Sequence, residues 1–359
     1  MVNVVGLDVG GVSTKAAFIK TEDGSVKELK TAIKYFPIWK DGKEKLPKVV
    51  EKLIENLVRS VTLDGVGVTM TAELSDVYWT KKHGVNHVLD CVAQVFTDVP
   101  TFVLNVEAQL MPIENARKEP LKVAAANWAA TGWMVSQMIT NCLAIDVGST
   151  TTSIIPIING EIAVKGKTDL EKLTNGELIY TGALRTNVAT IVKCIPIRGQ
   201  MTRVSSELFA QSGDIHMLLD HITEKDYTVE TADGRRRAKK EAIARLARVV
   251  CADIDILSEQ EIITMAQFIY KKQVAQIAEG LRRVYDRIKP RTREGIPAVV
   301  IGLGRNFLAR KAAEKAGLKR VIDLAELLGV DAAIVSPSVG VALMAASKLE
   351  GKIIQWKQS

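Results

Sequence analysis

Aromatic residues make up only 5% of this 359-residue chain. No basic block is interleaved with aromatics, so a stacking surface for nucleic acid is not expected. Cysteine is also sparse. Cys91, Cys142, Cys194 and Cys251 stand far apart with no C-x-x-C pair, which argues against a zinc site or redox dithiol and for buried, reduced thiols. No basic n-region or cleavage site precedes the first apolar strand pattern, so a cytoplasmic protein is expected. The four histidines form two pairs. His83 and His87 are four apart, but Gly84 lies between them and no acidic residue stands at ligand spacing. His216 and His221 are five apart and are expected to face different ways.

Charge is missing from one long stretch, Val123 to Ile145, whose length could span a bilayer. Asn127, Thr131, Gly132, Ser136, Gln137, Thr140 and Asn141 interrupt it. The expectation is a buried helix followed by a core strand, with no membrane association.

What remains is an ordinary globular composition, 47% hydrophobic and 25% charged, long enough for two domains. The net charge of +7 favours anionic partners without naming them. The informative feature is a repeated phrase. VVGLDVGGVSTK opens the chain, and CLAIDVGSTTT follows 138 residues later (146 − 8), aligned on Asp8 and Asp146. Each has an apolar run on both sides, which predicts strand, glycine turn, strand.

The intervening pattern predicts a third strand over SVKELKTAIKYF, a helix over KLPKVVEKLIENLVRSV and a buried strand over GVGVTMT. A helix from His83 to Phe96 and a strand over PTFVLNV follow. Asn105 and Glu107 end that strand, where α/β folds collect ligand contacts; a plain loop is the alternative. After the second phrase comes an insertion, roughly Gly176 to Ile256. Ser258-Glu-Gln-Glu261 then caps a helix that Pro290 stops. PAVVIGLG reads as a strand, FLARKAAEKAG as a helix, KRVIDL as a strand and Ser338 to Leu349 as a last helix. The alternation defines an α/β protein. The expected domains are 1–140, with a phosphate loop at 4–15, and 141–359, with a phosphate loop at 143–152.

An Asp-x-Gly turn between strands has a chemical use. Glycine lets backbone amides approach and cradle phosphate oxygens, and nearby hydroxyls add donors. An aspartate at the strand end can hold hydrated Mg²⁺. Two such turns across a cleft would grip a polyphosphate from both sides. The expected metal-positioning residues are Asp8 and Asp146. The expected phosphate-binding residues are Gly10, Gly11, Ser13, Thr14, Lys15, Gly148, Ser149, Thr150, Thr151 and Thr152.

GLDVGGVSTK, AIDVGSTTT, VVIGLGRNFLARKAAEKAG and SPSVGVALMAASKL together resemble the actin, sugar-kinase and Hsp70 superfamily. They match its first and second phosphate loops, nucleoside-side glycine loop and closing helix. Within it, the chain is similar to the hydantoinase A and oxoprolinase branch. LIYTGALRTNV and CIPIRGQMTRVSSELFAQSGD extend the likeness to archaeal enzymes of methanofuran biosynthesis. The resemblance implies two RNase H-like, actin-like domains related by duplication. It also implies small-molecule substrates: a furanylmethyl diphosphate and a tyramine derivative, joined as an aryl ether with release of diphosphate. A small-molecule kinase or ATPase, or a non-enzymatic nucleotide-binding switch, are the alternatives for the same loops.

Secondary positions remain. Ile301-Gly-Leu-Gly-Arg-Asn-Phe307 followed by Asp323 imitates a dinucleotide fingerprint, but Phe307 stands where the third glycine belongs. In the superfamily reading, Gly302 and Gly304 let ligand approach the backbone. Arg235, Arg236 and Arg237 are expected near a helix N-terminus, as a solvated basic face or an anion site. Arg185 is a further cationic candidate.

Overall fold

The structure, a computed structural model, describes residues 1–58, 61–292 and 295–356. Its strands in chain order are β1 (Val2–Val9), β2 (Ser13–Glu22), β3 (Ser25–Tyr35), β4 (Gly65–Met70), β5 (Thr101–Leu104), β6 (Leu110–Pro112) and β7 (Cys142–Val147). They continue as β8 (Thr152–Ile158), β9 (Glu161–Ile162), β10 (Leu178–Ile179), β11 (Cys194–Ile197), β12 (Gln200–Arg203), β13 (Ala298–Ile301) and β14 (Val321–Asp323).

The first sheet has the order β3-β2-β1-β4-β5-β6. β1 runs antiparallel to β2 and parallel to β4. Val4, Val5, Leu7 and Val9 of β1 are fully buried, as are all six residues of β4. Central strands covered on both faces read as continuous apolar runs for this reason. Helix Leu46–Val58 buries Leu46, Val50, Leu53, Ile54 and Leu57, a three-and-four spacing that presents one apolar stripe. The expected end of this helix, at Arg59 and Ser60, lies outside the described residues.

The second sheet has the order β10-β8-β7-β13-β14, with β9 pairing β8. β7, β13 and β14 are parallel and β10 is antiparallel to β8. Its path therefore follows the same pattern as β3-β2-β1-β4-β5. β11 and β12 form a separate hairpin whose turn places Arg198 and Gly199 at positive φ.

The uncharged stretch becomes helix Asn127–Ser136 followed by β7. Eight of the helix's ten residues are buried, so it faces protein nearly all round and needs no polar side. Among the described residues, no helix is long and apolar enough to cross a membrane. The long helix spans Glu259–Ile288. Ser258 accepts from the Glu261 amide while Glu261 accepts from the Ser258 amide, the expected capping box. The last helix runs Ser336–Glu350.

The chain forms two compact units. One comprises Met1–Cys142, Ile155–Thr174 and Leu324–Ser359; the other comprises Leu143–Ile154 and Asn175–Asp323.

Candidate active site

In the first unit, Asp8 lies near the C-terminal end of β1 and is 5% exposed. Its register partners are Lys15 on β2 and Thr69 on β4. Directly paired residues share a face of a sheet, so Lys15, Asp8 and Thr69 form one row. Gly10 to Val12 turn between the strands. The Gly11 and Val12 carbonyls accept from the amides of Ile38 and Phe36, at 3.0 and 2.9 Å. Thr14 is fully buried within β2, in register with Val9. Ser13 is only partly buried.

In the second unit, Asp146 near the end of β7 pairs in register with Ile301 of β13. The turn closes with Gly148 donating to the Thr151 carbonyl at 3.0 Å. The carbonyls of this loop are also occupied from behind. Ala183 donates to Gly148, and Leu184 and Arg185 both donate to Ser149, at 2.9 to 3.0 Å. The TGALRT segment is thus a backing for the second loop. Gly182 is required there, because an added Cβ would sit 2.6 to 2.7 Å from the backbone of Ser149 and Thr150. Arg185 reaches over the loop and donates to Thr150 Oγ1 at 3.3 Å. The Thr152 hydroxyl is buried and donates to the Thr181 carbonyl at 2.7 Å.

Gly302 and Gly304 press on the same strand end. Gly302 has φ +85°, and a Cβ there would lie 2.5 Å from the Val147 carbonyl and 2.6 Å from Asp146 Oδ1. Gly304 donates to the Val147 carbonyl at 3.0 Å. These glycines serve close approach of the chain to its own loop. Asp323, the acidic position of the dinucleotide imitation, is held by Arg305 at 3.3 Å. Residues Arg305–Ala309 form a π-helical turn before helix Arg310–Ala316, a geometry frequent at functional sites. Gly302→Ala is expected to lower stability by about 1–3 kcal/mol through φ strain and overpacking against Asp146. Thermal melting checks this; an unchanged midpoint contradicts it.

Two expectations need correction. His216 and His221 do not face different ways: their Nδ1 atoms are 3.1 Å apart. Helix Ser212–Leu218 ends in a reversal with Asp220 at φ +57°. His221 then donates its backbone N–H to the His216 carbonyl and Asp220 donates to Met217, a Schellman arrangement that folds His221 back onto the helix. Burial pulls His216 down to about 3, so its imidazole is neutral. His216 Nε2 meets Gln273 Oε1 at 3.1 Å, and the Gln273 amide donates to Thr181 Oγ1 and the Gly182 carbonyl. His221 stacks on Phe307 and lies against Tyr270, whose hydroxyl donates to the Phe307 carbonyl. The pair therefore braces both segments that back the second loop.

Arg235, Arg236 and Arg237 lie as expected beside a helix N-terminus, in the turn before helix Lys239–Arg248. Arg237 donates to the Val229 carbonyl, and exposed Arg235 lies 3.9 Å from Asp233. The cation that matters structurally is Arg245, which the sequence reading missed. It is fully buried and makes two bonds to Asp214 Oδ1, at 2.9 and 2.7 Å. Tyr227 and the Gln211 amide complete the carboxylate's partners.

Other polar candidates are engaged locally. Asn105 Oδ1 accepts from the amides of Glu107 and Gln109, and Glu107 pairs with Lys167 at 2.8 Å. His87 Nδ1 bonds the Tyr78 hydroxyl at 2.7 Å, and His83 packs edge-on to the same ring. Cys142 is buried, which pushes its thiol up to about 12. The second correction is Cys251, expected to be buried, which is exposed at φ +57° just after helix Lys239–Arg248.

Sequence reasoning also missed Glu73. It follows β4 in the 3₁₀ turn Ala72–Leu74, beside the first loop. Thr71 donates to the Val9 carbonyl at 2.9 Å, and a Cβ on Gly11 would lie 3.9 Å from Ala72 Cα. Glu73 is 1% exposed, and burial pushes its carboxyl up to about 7 from 4.5. A raised folded-state value means stability is complete below pH 4.5 and is lost as pH rises to about 7. Glu73→Gln is therefore expected to melt like the wild type at pH 5 and to be more stable by roughly 3 kcal/mol at pH 8. Equal stability at both pH values contradicts the raised pKa.

Two units, each carrying an Asp-x-Gly turn at the end of its central strand, define the actin-like ATPase fold. The nucleotide-free structure of acetone carboxylase supports that fold, at TM-score 0.55 and 10% identity over 95% of this chain and 70% of that one. Residues 64–347 match the Hydantoinase/oxoprolinase family, and the chain belongs to it. Within that family, it is 36% identical over 348 residues to the (4-{4-[2-(γ-L-glutamylamino)ethyl]phenoxymethyl}furan-2-yl)methanamine synthase of Methanocaldococcus jannaschii. That match covers 97% of this chain and 98% of the relative. A synthase of the same name from Methanococcus vannielii is 38% identical over 223 residues, 61% of this chain and 97% of the relative.

Proposed function

We propose that this chain is a transferase of methanofuran biosynthesis that makes the aryl ether for which its relatives are named. The carrying observation is identity to the Methanocaldococcus jannaschii synthase across 97% of the chain. The product's phenoxymethylfuran disconnects into a phenol, that of γ-glutamyl-tyramine, and an activated furanylmethyl carbon. The phosphate loops suit a diphosphate as the activating group, so 5-(aminomethyl)furan-3-ylmethyl diphosphate is the proposed donor.

Both loops have carbonyls tied from behind, to Phe36 and Ile38 in one and to Ala183, Leu184 and Arg185 in the other. Fixing the acceptors inward leaves amides and hydroxyls to meet an anion. In the first unit Gly10, Gly11, Ser13 and Lys15, and in the second Ser149 to Thr151 with Arg185 above them, would each offer donors to phosphate oxygens, while Gly148, whose amide closes the turn onto the Thr151 carbonyl, would shape the second loop. Thr14 and Thr152 would act through loop shape, because both are buried.

Asp8 in the first unit and Asp146 in the second would each offer a carboxylate to Mg²⁺. Hard carboxylate oxygens suit this ion, which takes one or two carboxylates and completes its shell with phosphate and water. When bound, it would neutralise the charge that diphosphate gains on leaving. The furan ring stabilises positive charge on its attached carbon, and the phenol, of pKa about 10, needs a proton acceptor to attack at neutral pH.

Incubation with both substrates and Mg²⁺ tests the reading. Ether and free diphosphate should appear together, and Mg²⁺-ATP with the same acceptor should give no ADP. ADP and a phosphorylated acceptor would favour a kinase.

A further inference from the structure

We propose that Glu73 is the general base that accepts the phenol proton in this reaction; the role rests on the synthase reading above. Three observations on the free chain point to it. The first is position. Glu73 follows the end of β4, the parallel neighbour of β1, and the Thr71 amide joins this turn to Val9, one residue past Asp8. Ligand contacts of α/β folds gather at the carboxyl ends of such strands.

The second is an unmet polar group. Among the described residues, neither Glu73 carboxylate oxygen makes a hydrogen bond of normal geometry. The nearest donors are its own backbone N–H and that of Ala125, which offset burial only in part. Ala125 is held at φ +50°, an uncommon conformation for a residue with a side chain. Buried polar groups are almost always satisfied, so an orphan carboxyl beside a substrate loop calls for a partner that arrives later.

The third is enforced placement. Helix Lys81–Val95 presses on this turn, and a Cβ on Gly84 would lie 2.5 Å from Glu73 Cα. The turn cannot retreat from the loop. The charged and titratable groups around the carboxyl are Lys81, Asp169 and Tyr78. Lys81 and Asp169 form an ion pair at 3.0 Å and oppose each other's influence. Burial is left to set a proton affinity near neutrality, where a general base is most effective.

In the step, the phenol oxygen forms the new bond to the furanylmethyl carbon and its proton passes to Glu73. The carbon–oxygen bond to diphosphate breaks, and the electron pair leaves with diphosphate. The acceptor hydroxyl reaches Glu73 directly or through one water once substrates are bound, since catalytic hydrogen bonds commonly tighten only in the complex.

The test measures ether formation by wild type, Glu73→Gln and Glu73→Asp from pH 5.5 to 9. Two acceptors are compared: γ-glutamyl-tyramine and its ring-difluorinated analogue, whose phenol is more acidic. Wild-type kcat should rise with pH through about 7. Glu73→Gln should lose about 10²–10⁴-fold in kcat with KM for the diphosphate unchanged, and should lose that rise. The difluorinated acceptor should restore a large part of the loss, because a more acidic phenol needs the base less. Glu73→Asp should keep the rise at a reduced rate. A Gln variant with wild-type kcat, or one equally impaired with both acceptors, overturns the role while leaving the synthase reading intact. A wild-type protein that forms no ether with either acceptor contradicts the synthase reading and this role with it.

Discussion

Asp8→Asn and Asp146→Asn should each lower Mg²⁺-dependent ether formation by about 10²–10³-fold, the size expected when one charge stabiliser of a transition state is removed. The amide keeps the shape of the carboxylate but loses its charge, and it binds a hydrated cation far more weakly. Each residue sits near the end of a central strand, paired in register with Lys15 and Thr69 in one sheet and Ile301 in the other. An isosteric change leaves those strands in place, so melting temperature should hold while the rate falls. Raising Mg²⁺ should recover part of the loss, the mark of weakened metal binding. If both variants keep wild-type turnover at limiting Mg²⁺, the metal role of the repeated phrase is wrong.

The largest expected loss of stability lies at Arg245, which takes no part in the proposed chemistry. Arg245→Met should destabilise the protein by about 3–5 kcal/mol, because it strands the fully buried Asp214 carboxylate without its cation. The remaining partners, Tyr227 and the Gln211 amide, are donors without charge. Adding Asp214→Leu to Arg245→Met should restore much of the loss, since an apolar pair of similar volume avoids desolvating two ions. Urea unfolding of the two single variants and the double variant gives the comparison. A single variant within 1 kcal/mol of wild type, or a double variant whose losses simply add, contradicts the account of this pair.

The frame of the molecule was legible where local chemistry and long-range packing agree. Apolar runs around Asp-x-Gly predicted both turns, and β1 with β2 forms the expected hairpin with Val9 opposite Thr14. The capping box at Ser258 is local by nature and appears as expected. What escaped depends on contacts between distant segments. Nothing near Gly182 announces that Ser149 and Thr150 lie against it. The His216–His221 contact needs the left-handed Asp220, and periodicity on an unbroken helix gives the opposite answer. Arg245 and Asp214 are 31 residues apart, and each reads alone as a surface charge. Glu73 carried a signal that was passed over. It stands just after a wholly buried parallel strand, the same rule that singled out Asn105 and Glu107. The Arg-Gly turn of the β11–β12 hairpin was a second missed local signal.

The central claim is that a carbon–oxygen bond breaks and that no phosphoryl group moves. Labelling the bridging oxygen of the furanylmethyl diphosphate with ¹⁸O tests it by mass. The transferase account predicts that the label leaves in diphosphate, in equal amount with an unlabelled aryl ether whose oxygen comes from the phenol. Label retained in the organic product, or a phosphorylated acceptor, would show phosphorus–oxygen cleavage and contradict the account in favour of a kinase.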